Sequence, residues 1–108
     1  MDTFPPFTVF EYARKFEAGS VFGDGCIFPQ GCTFEPGYVV GDRCVFGPGC
    51  IFLGDGVFGD RCVFRAKCTF QGENIFGDRC VISRDAVTSY GNSFGKDCVF
   101  QPPQFVGS

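Results

Sequence analysis

Apolar residues in this chain fall on a six-residue grid. Phenylalanine holds it at Phe22, Phe28, Phe34, Phe46, Phe52, Phe58, Phe64, Phe70, Phe76, Phe94 and Phe100, with Val40, Ile82, Thr88 and Val106 in the gaps. Cysteine keeps the same beat two places earlier: Cys26, Cys32, Cys44, Cys50, Cys62, Cys68, Cys80 and Cys98 are separated by 6, 12 or 18 residues. One residue stands between, as in Cys44-Val45-Phe46. Side chains alternate along a strand, so Cys and Phe share one face and Val takes the other. Gly-Asp-Arg or Pro-Gly follows each strand and reads as a turn, because Gly tolerates positive φ and Pro presets φ. A longer period of 18 is superposed on the shorter one: GDGCIF at 23–28, GDRCVF at 41–46 and 59–64, GDRCVI at 77–82, GKDCVF at 95–100. Three strands and three turns therefore close one coil, and successive coils stack as parallel strands about 4.8 Å apart.

Sorting the small inward position by thirds separates three columns. The first holds Cys26, Cys44, Cys62, Cys80 and Cys98; the second Cys32, Cys50, Cys68, Ala86 and Gln104; the third Ser20, Tyr38, Gly56, Asn74 and Asn92. A square coil of four hexads would mix them, so the pattern predicts a triangular all-β solenoid. The unit resembles the hexapeptide repeat of left-handed parallel β-helices, aliphatic–Gly–x–x–small–x. Phe58-Gly59-Asp60-Arg61-Cys62-Val63 fits it position by position, and the resemblance covers residues 20–106 without an insertion. Left-handedness is what the resemblance implies; the general rule for parallel crossovers points the other way. Phenylalanine replaces the aliphatic residue usual in that family. Cys-x-Phe is also similar to the core of pentapeptide-repeat helices, against which the period of six argues.

The expected fold is thus a triangular left-handed parallel β-helix of about five 18-residue coils over residues 20–106. Residues 1–19 are expected to be a lead-in and a capping helix. Thr8-Val9-Phe10-Glu11 reads as a capping box, and Val9, Tyr12, Ala13 and Phe16 follow at amphipathic helix spacing. A short helix at about 9–18 would cover the open first coil, which otherwise exposes rings and unpaired edge groups. The competing reading continues the strands backwards, because Phe4, Phe10 and Phe16 also lie on the sixfold grid. At the other end, Gln101-Pro102-Pro103-Gln104 is expected to stop strand pairing, since Pro donates no N–H.

Composition narrows the chemistry. With 108 residues the chain makes one domain. It contains no histidine. The resemblance covers acyltransferases that use a catalytic His and carbonic anhydrases that hold zinc with three, and neither role transfers to any position here. No Ser–His–Asp or Cys–His set is present, so no catalytic residue, cofactor or small-molecule substrate is expected. Zinc sites usually carry closely spaced Cys pairs, and a spacing of six does not match. Side chains on adjacent parallel strands point the same way, which suits S–S closure poorly. All eight cysteines are therefore expected as reduced, small apolar fillers, in keeping with a cytoplasmic setting. There is no apolar run long enough to span a membrane, and the N-terminus lacks the basic start and apolar core of a signal peptide.

The charges sort onto edges and nearly balance, at a net of −3. One edge carries Asp24, Asp42, Asp60 and Asp78 beside Arg43, Arg61 and Arg79, expected as solvated turn charge with weak mutual pairing. A second is acidic, with Glu35, Asp55 and Glu73; the third is basic late in the chain, with Arg65, Lys67 and Arg84. Three basic residues on one edge are too few for a nucleic-acid stripe. The outward strand positions form apolar columns: Ile27, Val45, Val63, Val81, Val99 on one face and Val21, Val39, Val57, Ile75, Ser93 on another, with Thr33, Ile51, Thr69, Val87 on the remaining one. β-Branched residues suit strands, but whole columns of them make a flat apolar patch of the kind that marks an interface. The expected site is the column Val45, Val63, Val81, rimmed by Asp42, Arg43, Asp60, Arg61, Asp78 and Arg79. The expected function is a non-enzymatic module docking a protein partner or itself. Compact Phe-Gly-x-x-Cys chains loosely resemble small phage and prophage proteins that bind and inhibit host machinery, which would place this one in a host cytoplasm. A self-assembling structural element is the alternative, and ice binding a weaker one, since only Thr33 and Thr69 face outward.

Overall fold

The structure is a computed structural model and describes residues 2–102. Among the described residues, sixteen short strands form three parallel sheets, one for each side of the coil. Each side is called here by its central outward residue. The Val57 side stacks β1 (Thr3–Phe4), β3 (Val21–Phe22), β6 (Val39–Val40), β9 (Gly56–Phe58), β12 (Asn74–Phe76) and β15 (Ser93–Phe94). The Val63 side stacks β4 (Ile27–Phe28), β7 (Val45–Phe46), β10 (Val63–Phe64), β13 (Val81–Ser83) and β16 (Val99–Gln101). The Ile51 side stacks β2 (Lys15–Phe16), β5 (Thr33–Phe34), β8 (Ile51–Phe52), β11 (Thr69–Phe70) and β14 (Val87–Thr88). Registers follow the 18-residue period: Phe64 pairs with Phe46 on one side and Ile82 on the other.

Most strands bury their Phe and turn a β-branched residue outward; towards the two ends of the stack Phe4 and Phe94 are half-buried and Phe100 is exposed. Phe46, Phe52, Phe64 and Phe70 are buried, as are all the cysteines except the half-buried Cys98. Three phenylalanines per coil fit the core because they meet edge to face: Phe46–Phe52 at 5.1 Å and 82°, Phe52–Phe58 at 5.2 Å and 80°. Between coils the same rings lie nearly parallel, Phe46 and Phe64 at 4.9 Å and 1°, Phe52 and Phe70 at 4.9 Å and 6°. Both are favoured arrangements of the ring quadrupole. The strand spacing of about 4.8 Å sets the second one.

The N-terminal segment differs from the expected cap. No helix is present among the described residues. Residues 3–19 instead make a further coil, giving about six in all, through β1, the bridge Val9↔Ile27 and β2. The sixfold grid outweighs the local capping signal. Phe4, Phe10 and Phe16 stack on Phe22, Phe28 and Phe34 at 5.1, 4.9 and 5.0 Å. Backbone bonds such as Val21 N–H to Asp2 O (2.8 Å) and Thr33 N–H to Arg14 O (3.0 Å) tie this coil to the next. A ten-residue helix would forfeit these rings, and so short a helix is marginal without tertiary packing. Thr8, read as an N-cap, donates its hydroxyl to Pro5 O at 2.7 Å. The end of the stack is covered by a guanidinium: Arg14 lies 4.7 Å over the Phe16 ring and 5.6 Å over that of Phe4, a cation–π contact. At the other end β16 stops at Gln101, before Pro102; the grid positions Gln104 and Val106 lie outside the described residues.

Candidate functional site

The edges hold their shape through backbone groups. On the Asp-rich edge each carboxylate accepts the N–H of the next coil's equivalent residue: Asp24 Oδ1 from Asp42 N at 2.7 Å, Asp42 from Asp60, Asp60 from Asp78 and Asp78 from Lys96 at 2.8 Å. The neighbouring Arg43, Arg61 and Arg79 sit at φ 58°, 60° and 59°, the left-handed region where a non-glycine side chain is strained. The turn demands it, since the first copy has Gly25 there at φ 71°. The amide of this residue in turn donates to the next coil, as from Arg61 N to Asp78 O at 2.8 Å. A Cβ on Gly59 would come within 2.3 Å of Asp42 Oδ1. Glycine is thus required by the close approach of two turns. Weak Asp–Arg pairing was expected along this edge, but the structure shows neighbours and not partners. Among the described residues the ion pair present is Lys15–Glu35, at 3.9 Å.

The expected interface residues share one face. Val45, Val63 and Val81 lie one above another in the register of β7, β10 and β13. They are half-buried, flush with their neighbours, while Ile27 and Val99 at the ends of the column are 46 % and 44 % exposed. Asp42, Arg43, Asp60, Arg61, Asp78 and Arg79 border the column on one edge. On the opposite border, Val63, Val81, Arg65 and Pro102 line a shallow recess of about 270 Å³. The Val57 column stands prouder, with Val39, Val57 and Ile75 at 44 %, 42 % and 57 % exposure. It carries its own recess of about 320 Å³, between Val57, Ile75, Asp55 and Glu73. The Ile51 column is the most mixed of the three, with half-buried Thr33 and Thr69 between the exposed Lys15, Ile51 and Val87.

The thiols are free, and all but Cys98 are buried. All but Cys32 point at a turn carbonyl of the preceding coil: Cys62 Sγ lies 3.3 Å from Gly41 O and Cys80 Sγ 3.4 Å from Gly59 O. Burial pushes the thiols of Cys26 and Cys98 up. Cys62, midway along its column, is pushed up by hydrogen bonding to Cys44 and Cys80 and by burial. A thiol held protonated, as at these three, is a poor nucleophile and a poor metal ligand. Cys44, Cys68 and Cys80 shift the other way, lowered by hydrogen bonding to Cys62, Cys50 and Cys62 respectively. Among the described residues no group of three His, Cys, Asp or Glu side chains is arranged to hold a metal ion, and no helix is long and apolar enough to cross a membrane.

A buried polar column was missed in the sequence, although its members had been sorted together. Val40 leaves room where the coils beside it have Phe. The Tyr38 ring fills it, packing 5.5 Å from Phe58 and 5.8 Å from Phe52. That ring reaches across the next coil, so residue 56 must be glycine: a Cβ there would fall 1.7 Å from Tyr38 Cε1. The Tyr38 hydroxyl donates to Asn74 Oδ1, two coils away. Asn74 donates from Nδ2 to Gln71 O at 3.1 Å and to Asn92 Oδ1 at 2.9 Å. Ser20, Asn74 and Asn92 each bond the carbonyl three residues back, closing their corners. Burial pushes the Tyr38 phenol up. The signal was there to read: a single large residue facing a glycine one period later.

No family model matches the chain, and no curated protein and no solved structure matches it either.

Proposed function

We propose that the chain is a non-catalytic member of the left-handed hexapeptide-repeat β-helices, working as a docking module. Its working surface is the Val63 face: Val45, Val63 and Val81, rimmed by Asp42, Arg43, Asp60, Arg61, Asp78 and Arg79. One observation carries this reading. Outward valines persist through successive coils although threonine would serve a strand equally well, so the column is explained by something that covers it. The rigid, regularly spaced surface offers shape complementarity at low ordering cost. The aspartates are held by backbone amides, so the arginines are available to steer a partner and fix its register more than to add affinity. The biological setting proposed is that of a phage-type protein which binds and inhibits host machinery in the host cytoplasm. A second reading, self-assembly as an oligomer or fibre segment, is favoured by the second apolar column at Val57. Capture experiments with Val63→Lys test the docking reading. The variant is expected to fold as the wild type does, by circular dichroism, and to lose its binding partner. Binding retained at wild-type strength would remove the Val63 face from consideration.

A further inference from the structure

The two apolar faces and the edges between them suggest what covers the Val63 face. The Val57 and Val63 sides meet at the Asp–Arg edge, where charges of both signs alternate. The far edge of the Val63 side is basic late in the chain, with Arg65, Lys67 and Arg84; Asp85 is there too, its carboxylate already accepting from the Ser83 hydroxyl at 2.6 Å and the Lys67 amide at 2.9 Å, and Glu11 stands on the same edge in the first coil, away from these cations. The far edge of the Val57 side is acidic, with Glu35, Asp55 and Glu73. The two recesses repeat this opposition: Arg65 borders the one on the Val63 face, and Asp55 with Glu73 borders the one on the Val57 face.

From this we infer that the occupant of the Val63 face is the Val57 face of a second copy, its solenoid axis parallel to the first. The inference rests on the Val63 face being the working surface and deepens the self-assembly reading above by naming the contact. Two arguments carry it beyond charge alone. The first is pitch. Valines and edge charges here repeat once per coil, about every 4.8 Å, and only a surface with the same pitch pairs every rung. An α-helix, at about 5.4 Å per turn, drifts out of step within a few rungs, whereas another copy does not.

The second argument is the edges. With parallel axes, placing the Val57 face on the Val63 face sets the acidic edge of one copy against the basic edge of the other. Level copies bring Arg65 and Lys67 opposite Glu73, because these residues belong to the same coil. Val63 face on Val63 face sets the basic edge against the Asp–Arg edge and leaves the acidic edge unused. The Ile51 face on itself also opposes acid and base, but it carries Thr33, Thr69 and the exposed Lys15 in its column.

The contact is modest. A face no wider than the smallest extent of the molecule, 19 Å, and six rungs tall at about 4.8 Å offers roughly 550 Å² per partner, at the weak end of specific interfaces. The contact is heterologous, so each bound copy still presents a free face, and association continues until the ring closes or a filament forms.

The test is a complementation experiment followed by sedimentation velocity over a range of concentrations. The wild type is expected to form oligomers as it is concentrated. Val63→Lys and Val57→Lys should each weaken self-association by roughly a hundredfold, because a lysine is desolvated there without a partner. Mixed one to one, they should form a heterodimer and nothing larger, since one variant keeps its Val57 face and the other its Val63 face. Ile51→Lys should associate as the wild type does.

Should a lysine variant fail to fold, the edge charges carry the same test. Asp55→Lys with Glu73→Lys should weaken association about tenfold, and adding Arg65→Glu with Lys67→Glu should restore it. Wild-type association by Val57→Lys, a mixture that stays monomeric, or loss of association in Ile51→Lys would each overturn the inference. A wild type that stays monomeric when concentrated would also overturn it; if Val63→Lys then still loses a different protein partner, the docking reading stands without it. Association and partner capture both unaffected by Val63→Lys would remove both.

Discussion

Truncating Phe64 tests whether stability resides in the stacked rings. The side chain is 1 % exposed. It stacks on Phe46 at 4.9 Å and meets Phe58 and Phe70 edge to face at 4.8 and 5.1 Å. Replacement by alanine removes the burial term and leaves a cavity, together about 3–5 kcal/mol for a well-packed Phe. The upper part of that range is expected, because the coils cannot close the gap. Val63 N–H is bonded to Cys44 O and Val81 N–H to Cys62 O, both at 2.9 Å, which fixes the spacing on either side. Phe100 supplies the contrast. It is 41 % exposed and pairs with the Phe94 ring at 5.1 Å, so Phe100→Ala should cost about 1 kcal/mol. Guanidinium unfolding followed by far-ultraviolet circular dichroism measures both. Against a total stability of about 5–15 kcal/mol, Phe64→Ala should move the midpoint far and Phe100→Ala little. Equal losses, or a Phe64→Ala cost below about 1.5 kcal/mol, would refute the stacked-ring account.

Other substitutions probe the turns and the buried polar column. Asp60→Ala should cost about 1 kcal/mol by orphaning the Asp78 amide, whereas Arg61→Gly should be neutral or slightly stabilising because it releases a left-handed backbone; unfolding midpoints separate this from an Asp–Arg ion-pair ladder, in which both would lose alike. Gly56→Ala should destabilise by about 3 kcal/mol or more through its clash with Tyr38, and Tyr38→Ala in the same chain should relieve part of that loss, as a double-mutant cycle would register. The Tyr38 pKa is higher in the fold than in the unfolded chain, so the stabilisation linked to it is fully present below the unfolded value of about 10 and declines as pH rises above it; alkaline unfolding should shift to higher pH in Tyr38→Phe. Thiol counting on protein denatured without reductant should return eight, and a count of six or fewer would place a disulfide in one of the columns.

The repeat was the legible part. A side chain every six residues has one consistent reading in a coil of three strands, and the inward Cys and Phe and outward Val columns followed directly. The N-terminus was read differently because a capping box is a local signal, while the stacking of Phe4, Phe10 and Phe16 is visible only across 18 residues. The Asp–Arg ladder reads in sequence as solvated turn charge with weak mutual pairing, because Arg43, Arg61 and Arg79 follow the aspartates. Only the turn geometry shows that the carboxylate instead meets the N–H of the next coil. Tyr38, Gly56 and Asn74 compensate one another over three coils, and a column sorted for size alone hid that relation. For the candidate site, the sequence named the column. The greater exposure of the Val57 face and the opposed charges of the two recesses needed the fold.

The central claim is that the Val63 face is the covered one. Methyl-resolved NMR of valine and isoleucine tests it most directly, with the protein titrated by its captured partner or by its own concentration. The account predicts that the Val45, Val63 and Val81 methyls shift or broaden while those of Ile51 and Val87 hold still. Changes centred on Ile51 and Val87, with the Val63 column unmoved under conditions where complex forms, would contradict it.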